Sequence, residues 1–462
     1  MARDNDAKQQ QQRQQQQPEQ PSSTTTNPNK TISISPRTFF SEDCSQTTTT
    51  TTTTTNNDNN PYDTASDPYT TGLPPEPFRN NHGASILGPR NRDRERQDPD
   101  MIRPPATDAG HIPNMKWSFA DSRMRIEEGG WSRETTVREL PSSIELAGVN
   151  MRLEQGAIRE LHWHKQAEWA YVLSGTTRIT CIDAEGRHFA DDVSQGGLWY
   201  FPRGVPHSLQ GVGKGGTEFL LIFDDGNFSE DETFLLSDWL AHTPQSVIAK
   251  NFRLPPALFD NLPPKEKYIF QGSIPSSDPQ TEQPSDEIKR SPRRFTHNML
   301  AQKPLSASGG HVRITDSSNF PISSTVAAAH VIIDPGALRE MHWHPAADEW
   351  AFFIRGRARI TIFAASGTSR TFDYVAGDVG VVPKGMAHYV ENLSRDEPVE
   401  FLEIFRASKF EEFSLEQWLA ETPRRLVKEH LFAGDERKGS MFVESLSSVK
   451  DPVKAAPRRV KL

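Results

Sequence analysis

The sequence predicts an all-β chain carrying two tandem copies of one antiparallel domain, each a barrel or sandwich, and three observations predict it. A long internal repeat recurs at an offset of 180 residues: Gly156-Ala-Ile-Arg-Glu-Leu-His-Trp-His164 returns as Gly336-Ala-Leu-Arg-Glu-Met-His-Trp-His344. Each copy holds short runs rich in Val, Ile, Phe and Thr, some alternating with polar residues, such as Thr177-Arg-Ile-Thr-Cys-Ile182 and Ala358-Arg-Ile-Thr-Ile-Phe363. Glycines and prolines part these runs at short intervals, as expected of antiparallel strands joined by tight turns.

The 462 residues are enough for about two to four domains. Residues 1–80 contain Gln9–Gln12, Gln14–Gln17 and the unbroken Thr47–Thr55, with too few apolar groups to offset chain entropy, and are expected to be a disordered low-complexity tail. An N-terminal arm follows over 81–114, then a first domain over 115–258. Segment 259–294, rich in Pro, Ser and charge, reads as a linker to a second domain over 295–445, and 446–462 as a basic tail. A short helix closes each domain, signalled in the second by Ser414 three residues before Gln417, the spacing of a capping box.

Lys and Arg number 52 against 61 Asp and Glu, a net charge of −9, without the basic stripe that a phosphate backbone requires, so nucleic acid is not an expected partner. No apolar run reaches membrane-spanning length and the first residues lack the apolar stretch of a secretory signal, so neither a membrane nor export is expected and the cytoplasm is the expected location. The end, Ala456-Pro-Arg-Arg-Val-Lys-Leu462, matches a nuclear or peroxisomal address only loosely, Val460 standing where the latter wants a small residue. Of the two cysteines, Cys44 lies in the low-complexity tract and Cys181 in a strand-like run, which argues against a structural disulfide. Gly211-Val-Gly-Lys-Gly-Gly216 spells a dinucleotide fingerprint but precedes a strand-like run instead of a helix, and so reads as a hairpin loop. A sequon begins at Asn227, where a sugar would crowd the segment that follows.

Alternate side chains on a strand share a face, so His162 with His164, and His342 with His344, point into one space. Glu168 keeps their parity, whereas Glu349 comes one residue later and needs a bulge or turn to bring it inward. His207 and His388 each follow a Pro-x-Gly turn able to aim them back from a neighbouring strand. Three imidazoles and one carboxylate, occurring twice in matching order, suit a divalent transition metal with open positions, and the spacing does not choose among manganese, iron, zinc and copper. Arg159 and Arg339 each stand three residues before the first histidine, where a guanidinium would hold a small anion beside the metal.

These residues resemble the cupin signature, Gly-x5-His-x-His-x3,4-Glu-x6-Gly followed by Gly-x5-Pro-x-Gly-x2-His-x3-Asn. The second copy fits throughout (Gly336, His342, His344, Glu349, Gly356; Gly377, Pro383, Gly385, His388, Asn392), and the first departs only at Gly211, where the Asn is expected. Arg-Glu-Leu-His-Trp-His, Leu-Trp-Tyr-Phe-Pro and Asp-Trp-Leu-Ala-His-Thr-Pro resemble more narrowly the bicupin oxalate decarboxylases, over about residues 115 to 432. The resemblance implies jelly-roll barrels (the double-stranded β-helix), manganese at both sites, dioxygen as co-catalyst, oxalate as substrate and a homo-oligomer. It also implies a lid over the first site whose glutamate is the general acid; Ser229-Glu-Asp-Glu232 matches that lid, giving Glu230 the role, with Glu232 as a departure that alters closure or adds a proton source. The second copy is expected to lack the lid and to carry instead Glu403, a strand carboxylate standing where the first has Leu221. Two other outcomes are open at this point: an oxalate oxidase yielding carbon dioxide and hydrogen peroxide, which loss of the lid acid would favour, and a storage-type bicupin without turnover.

Overall fold

A computed structural model describes residues 73–79, 81–279, 281 and 289–455. The low-complexity tract, Cys44 and the basic end from residue 456 lie outside the described residues. Each half is a two-sheet antiparallel jelly roll with the same strand order. In the first, Gly130–Thr135, Ala147–Leu153, Thr217–Phe223, the start of Glu168–Ile182, and Gly197–Phe201 lie side by side in one sheet. Ala157–Trp163, His207–Gly211, the end of Glu168–Ile182, and His188–Ser194 form the other. The second half repeats this order, with Glu349–Arg355 and Arg357–Ala364 as two strands in place of the single long one. The chain passes between sheets at Gly175 (φ 78°) and Gly356 (φ 85°), where a side chain would also run into the carbonyls of Gly216 and Pro398.

Three buried clusters hold the fold. One fills each barrel, built on Met151, Trp199, Phe201, Phe219 and Leu221 in the first and on Val331, Phe353, Ile360, Tyr374 and Phe401 in the second. The third lies between the halves, where Trp169, Tyr200, Leu220 and Ile222 meet Trp350, Val381, Leu402 and Ile404. Burial on both faces explains why Phe219-Leu-Leu-Ile-Phe223 is continuously apolar: Phe219, Leu221 and Phe223 face the barrel, Leu220 and Ile222 the other half.

The halves also exchange strands. Lys116–Ser118, leading into the first half, pairs with Asp378–Val382 of the second, while Thr296–Asn298, leading into the second, pairs with Gly197–Phe201 of the first. The segment 259–294, expected to be a linker, is one only in part, because Ile269–Gln271 extends the first half's sheet beside Ala157–Arg159. In the expected tail, Val453–Lys454 does the same beside Leu338–Arg339. Gly211 to Gly216 joins two strands as a loop, and Cys181 is a buried free thiol. The closing helices are Leu236–Ala241 and Leu415–Ala420; Ser414 Oγ accepts the Gln417 N–H at 3.3 Å, but the Gln417 side chain donates to Ser448 O, so only half of the capping box forms. No helix among the described residues is long and apolar enough to cross a membrane.

Candidate metal centres

The two ligand sets assemble as the pattern implies. Nitrogen or oxygen atoms of His162, His164, Glu168 and His207 lie within 4.8 Å of one another, as do those of His342, His344, Glu349 and His388, and all eight residues are buried. The His-x-His pairs close the Ala157–Trp163 and Leu338–Trp343 strands, and each glutamate opens the strand after the following turn. Strand parity therefore does not set the glutamate's direction. The extra residue of the second half is taken up in its turn, and Glu349 pairs with Val382 and Phe405 as Glu168 does with Phe201 and Phe223. Asn392 is structural: its side chain donates to Ile333 O and Glu397 O.

Backbone carbonyls orient every imidazole. The Nδ1 atoms of His162, His164 and His207 lie 2.6, 2.7 and 2.8 Å from the oxygens of Glu160, Gln166 and Val205. Those of His342, His344 and His388 lie 2.6, 2.9 and 3.1 Å from Glu340, Glu411 and Met386. A ring that donates from Nδ1 presents a lone pair at Nε2, so six lone pairs point inward. His164 and His207 Nε2 lie 3.1 and 3.4 Å from Glu168 Oε2, and His344 and His388 Nε2 lie 3.2 and 3.0 Å from Glu349 Oε2. Lone pairs that close to a carboxylate oxygen call for a cation between them. His207, His342 and His344 Nε2 and Glu349 Oε1 are buried without a hydrogen-bond partner, as ligands awaiting an ion would be. Burial, followed by neighbouring His207 and Arg159, drives His162 far below the ordinary imidazole range. Burial alone would raise Glu168, but His207 and His164 outweigh it and hold the carboxylate ionised. Both sets suit a divalent metal.

Beside each set lies a buried arginine, and here the halves part. Arg159 Nη2 is 3.2 Å from Glu230 Oε2, and Nη1 donates to Tyr268 O at 3.4 Å, with the guanidinium 4.0 Å from the Tyr268 ring centre. The Tyr268 hydroxyl meets both Glu230 Oε2 and, at 2.7 Å, Ser132 Oγ. Glu160 seats this tyrosine by accepting its backbone N–H at 3.0 Å. Glu230 begins a short 3-10 turn, Glu230–Glu232, and is 6% exposed. Glu232 stays at the surface, 4.0 Å from Lys165, and does not join the buried group, which argues against a second proton source there.

Arg339 is held by two carboxylates, Glu403 (2.9 Å from Nε) and Glu412, the latter also paired with Lys450. Burial raises the Glu403 carboxyl despite the guanidinium beside it. Glu412 and Tyr268 were not among the residues the sequence singled out. Phe228 and Phe410 each stand five residues after Phe223 and Phe405, and that shared register was the available sign that Glu412 matches Glu230. Tyr268 fell inside the expected linker, where Pro452 is its counterpart in the second half.

A cupin family model matches residues 119–257 and 297–438. The chain is 53% identical over 381 residues to oxalate decarboxylase OxdC of Bacillus subtilis, covering 82% of this chain and 96% of that protein. It is 40% identical over 357 residues to a probable oxalate decarboxylase of Arthroderma benhamiae, covering 76% and 87%. A solved structure of the Bacillus enzyme concerned with its Mn(II) centres is 52% identical, with a TM-score of 0.79, over 83% of this chain and all of that one.

Proposed function

The chain belongs to the cupin family, and from that premise we propose that it is an oxalate decarboxylase, converting the oxalate monoanion to formate and carbon dioxide with manganese at both ligand sets. The observation that carries the reading is the buried Arg159–Glu230–Tyr268 group beside the first set. Manganese, working with dioxygen, supplies one-electron redox chemistry when bound. The rest falls to the chain. Arg159 is the only one of the two arginines with a single carboxylate on it among the described residues, so its guanidinium is suited to hold the substrate carboxylate. Glu230 Oε2, oriented by the Tyr268 hydroxyl, takes the proton from the monoanion as the carbon–carbon bond breaks and returns it to the carbon that becomes formate. The closed turn keeps water from that carbon. Hydrogen, carbon and oxygen balance, and the reaction is redox-neutral overall.

In the second half, Glu403 and Glu412 neutralise Arg339, so that set serves structure or electron transfer and Glu403 acts as a counter-charge. A homo-oligomer in the cytoplasm completes the reading, tested by light scattering and by imaging of a tagged chain. The central experiment is product analysis of the manganese-loaded protein with oxalate in aerated, mildly acidic buffer. Formate from the wild type, and its loss by about 10²- to 10⁴-fold in Glu230→Ala, is the expected result. Hydrogen peroxide as the wild type's main product would make the enzyme an oxidase, and absence of turnover with both metals bound would leave a storage protein.

A further inference from the structure

The lid rests on a short stretch of the first half that the reaction above does not use. Val137 N–H donates to Gly226 O at 3.0 Å, Arg138 Nη2 donates to Phe228 O at 3.3 Å, and the N–H of Glu230 itself donates to Glu134 Oε2 at 3.3 Å. Glu134 and Arg138 form an ion pair of 3.4 Å one helical turn's spacing apart in sequence.

The second half serves as an internal control. It keeps one bond of this cradle, Ser317 N–H on Ser408 O at 3.0 Å, and differs at the next, where Phe410 N–H donates to Asp316 Oδ2 at 3.2 Å while Phe228 N–H donates to Asp225 O at 3.1 Å. It does not keep the charged pair. Strand Gly310–Thr315 matches Gly130–Thr135 residue for residue, which puts Ile314 at the place of Glu134 and Ser318 at that of Arg138. Both halves thus set a carboxylate against this backbone, but among the described residues only in the first does one accept the N–H of the arginine-bound glutamate itself, and that is the half where a single carboxylate sits on the arginine.

We propose that Glu134 is a positioning residue for the reaction, the receptor that holds the lid shut with Glu230 inside and so sets the partition between formate and hydrogen peroxide. This rests on the reading of Glu230 as proton donor. With the lid shut, the proton reaches carbon and formate leaves. With it open, both carbons leave as carbon dioxide, and the two electrons from the broken carbon–carbon bond reduce dioxygen, with two protons, to hydrogen peroxide. Burial, then the nearby Glu230, pushes the Glu134 carboxyl up to about 7, with Arg138 and the Glu230 N–H opposing the rise and Glu139 adding to it.

The test uses the full-length, manganese-loaded enzyme and two readouts, amide exchange over residues 226–233 and the peroxide-to-formate ratio. Glu134→Ile, which copies the second half, is expected to speed exchange of the lid about fivefold, the worth of one net hydrogen bond, and to raise the ratio by a similar factor through kcat for formate. Glu134→Gln keeps an acceptor oxygen and is expected to restore both. Arg138→Ala, at a half-exposed position, is a second variant expected to loosen the lid in the same direction should Glu134→Ile fail to fold. Unchanged lid exchange in folded Glu134→Ile overturns the proposal. Faster exchange with an unchanged ratio overturns the partition role, provided Glu230→Gln has lost formate. If Glu230→Gln keeps formate, the proton-donor reading fails instead, and exchange alone then decides whether Glu134 is the receptor.

Discussion

The two halves carry the same ligands on the same strands, yet differ in how many carboxylates meet the arginine beside them. Arg159 faces Glu230 and has Leu221 on the barrel strand behind it, whereas Arg339 is clasped by Glu403 and Glu412. One copy keeps a cation with capacity for a further anion; the other has used that capacity internally. Duplication preserved the metal geometry, and divergence acted on the net charge around it.

Substitutions that move one half toward the other test this difference. The largest effect is expected from the paired variants Glu230→Ala and Glu412→Ala: formate production falls about 10²- to 10⁴-fold in the first and changes little in the second, as read by formate assay. If Glu412→Ala is equally inactive, the asymmetry does not govern turnover. Next, Leu221→Glu should give Arg159 the second carboxylate that Arg339 has, raising KM for oxalate by about one to two orders of magnitude with manganese content unchanged. Trp199 Nε1 donates to Glu168 Oε1 at 2.7 Å, while Gly380 stands at that place in the second half. Trp199→Phe should therefore weaken manganese at the first site by about tenfold and leave the second unaltered, in a titration followed by electron paramagnetic resonance.

The smallest effect concerns pH. With the lid shut, the Glu134 carboxyl is raised to about 7 by burial and Glu230, against Arg138. A raised carboxyl favours the shut state fully below the ordinary carboxylate range, and that favour is lost as pH rises through about 7. The peroxide-to-formate ratio should thus climb toward neutrality in the wild type and less steeply in Glu134→Gln, which has no charge to acquire.

Much of the site was legible because its geometry is local. His-x-His needs only the two-residue period of a strand, and alternating runs parted by glycine and proline imply an antiparallel barrel or sandwich, the jelly roll itself being what the cupin resemblance implied. What escaped depends on contacts distant in sequence. Glu412 was hidden by the three residues, Asp231 to Thr233, that the second half lacks after it, which break the alignment just where the lid acid would be sought. Tyr268 reaches the site from a segment whose composition says linker, just before a strand of three residues too short to show a period. Glu134 lies in a strand where an acid reads as one more exposed position, and only the fold lays the lid across it.

The strand exchange bears on how the chain is made. One edge of Gly197–Phe201 is completed, among the described residues, only by Thr296–Asn298. A ribosome must therefore produce almost a hundred further residues before that edge is closed, and meanwhile it offers unpaired N–H and C=O groups to any neighbouring nascent chain. The first barrel expressed alone would keep this exposed edge permanently, so splitting the gene between the repeats is expected to give aggregates instead of a one-metal enzyme, and mixing the two fragments during refolding to recover soluble protein.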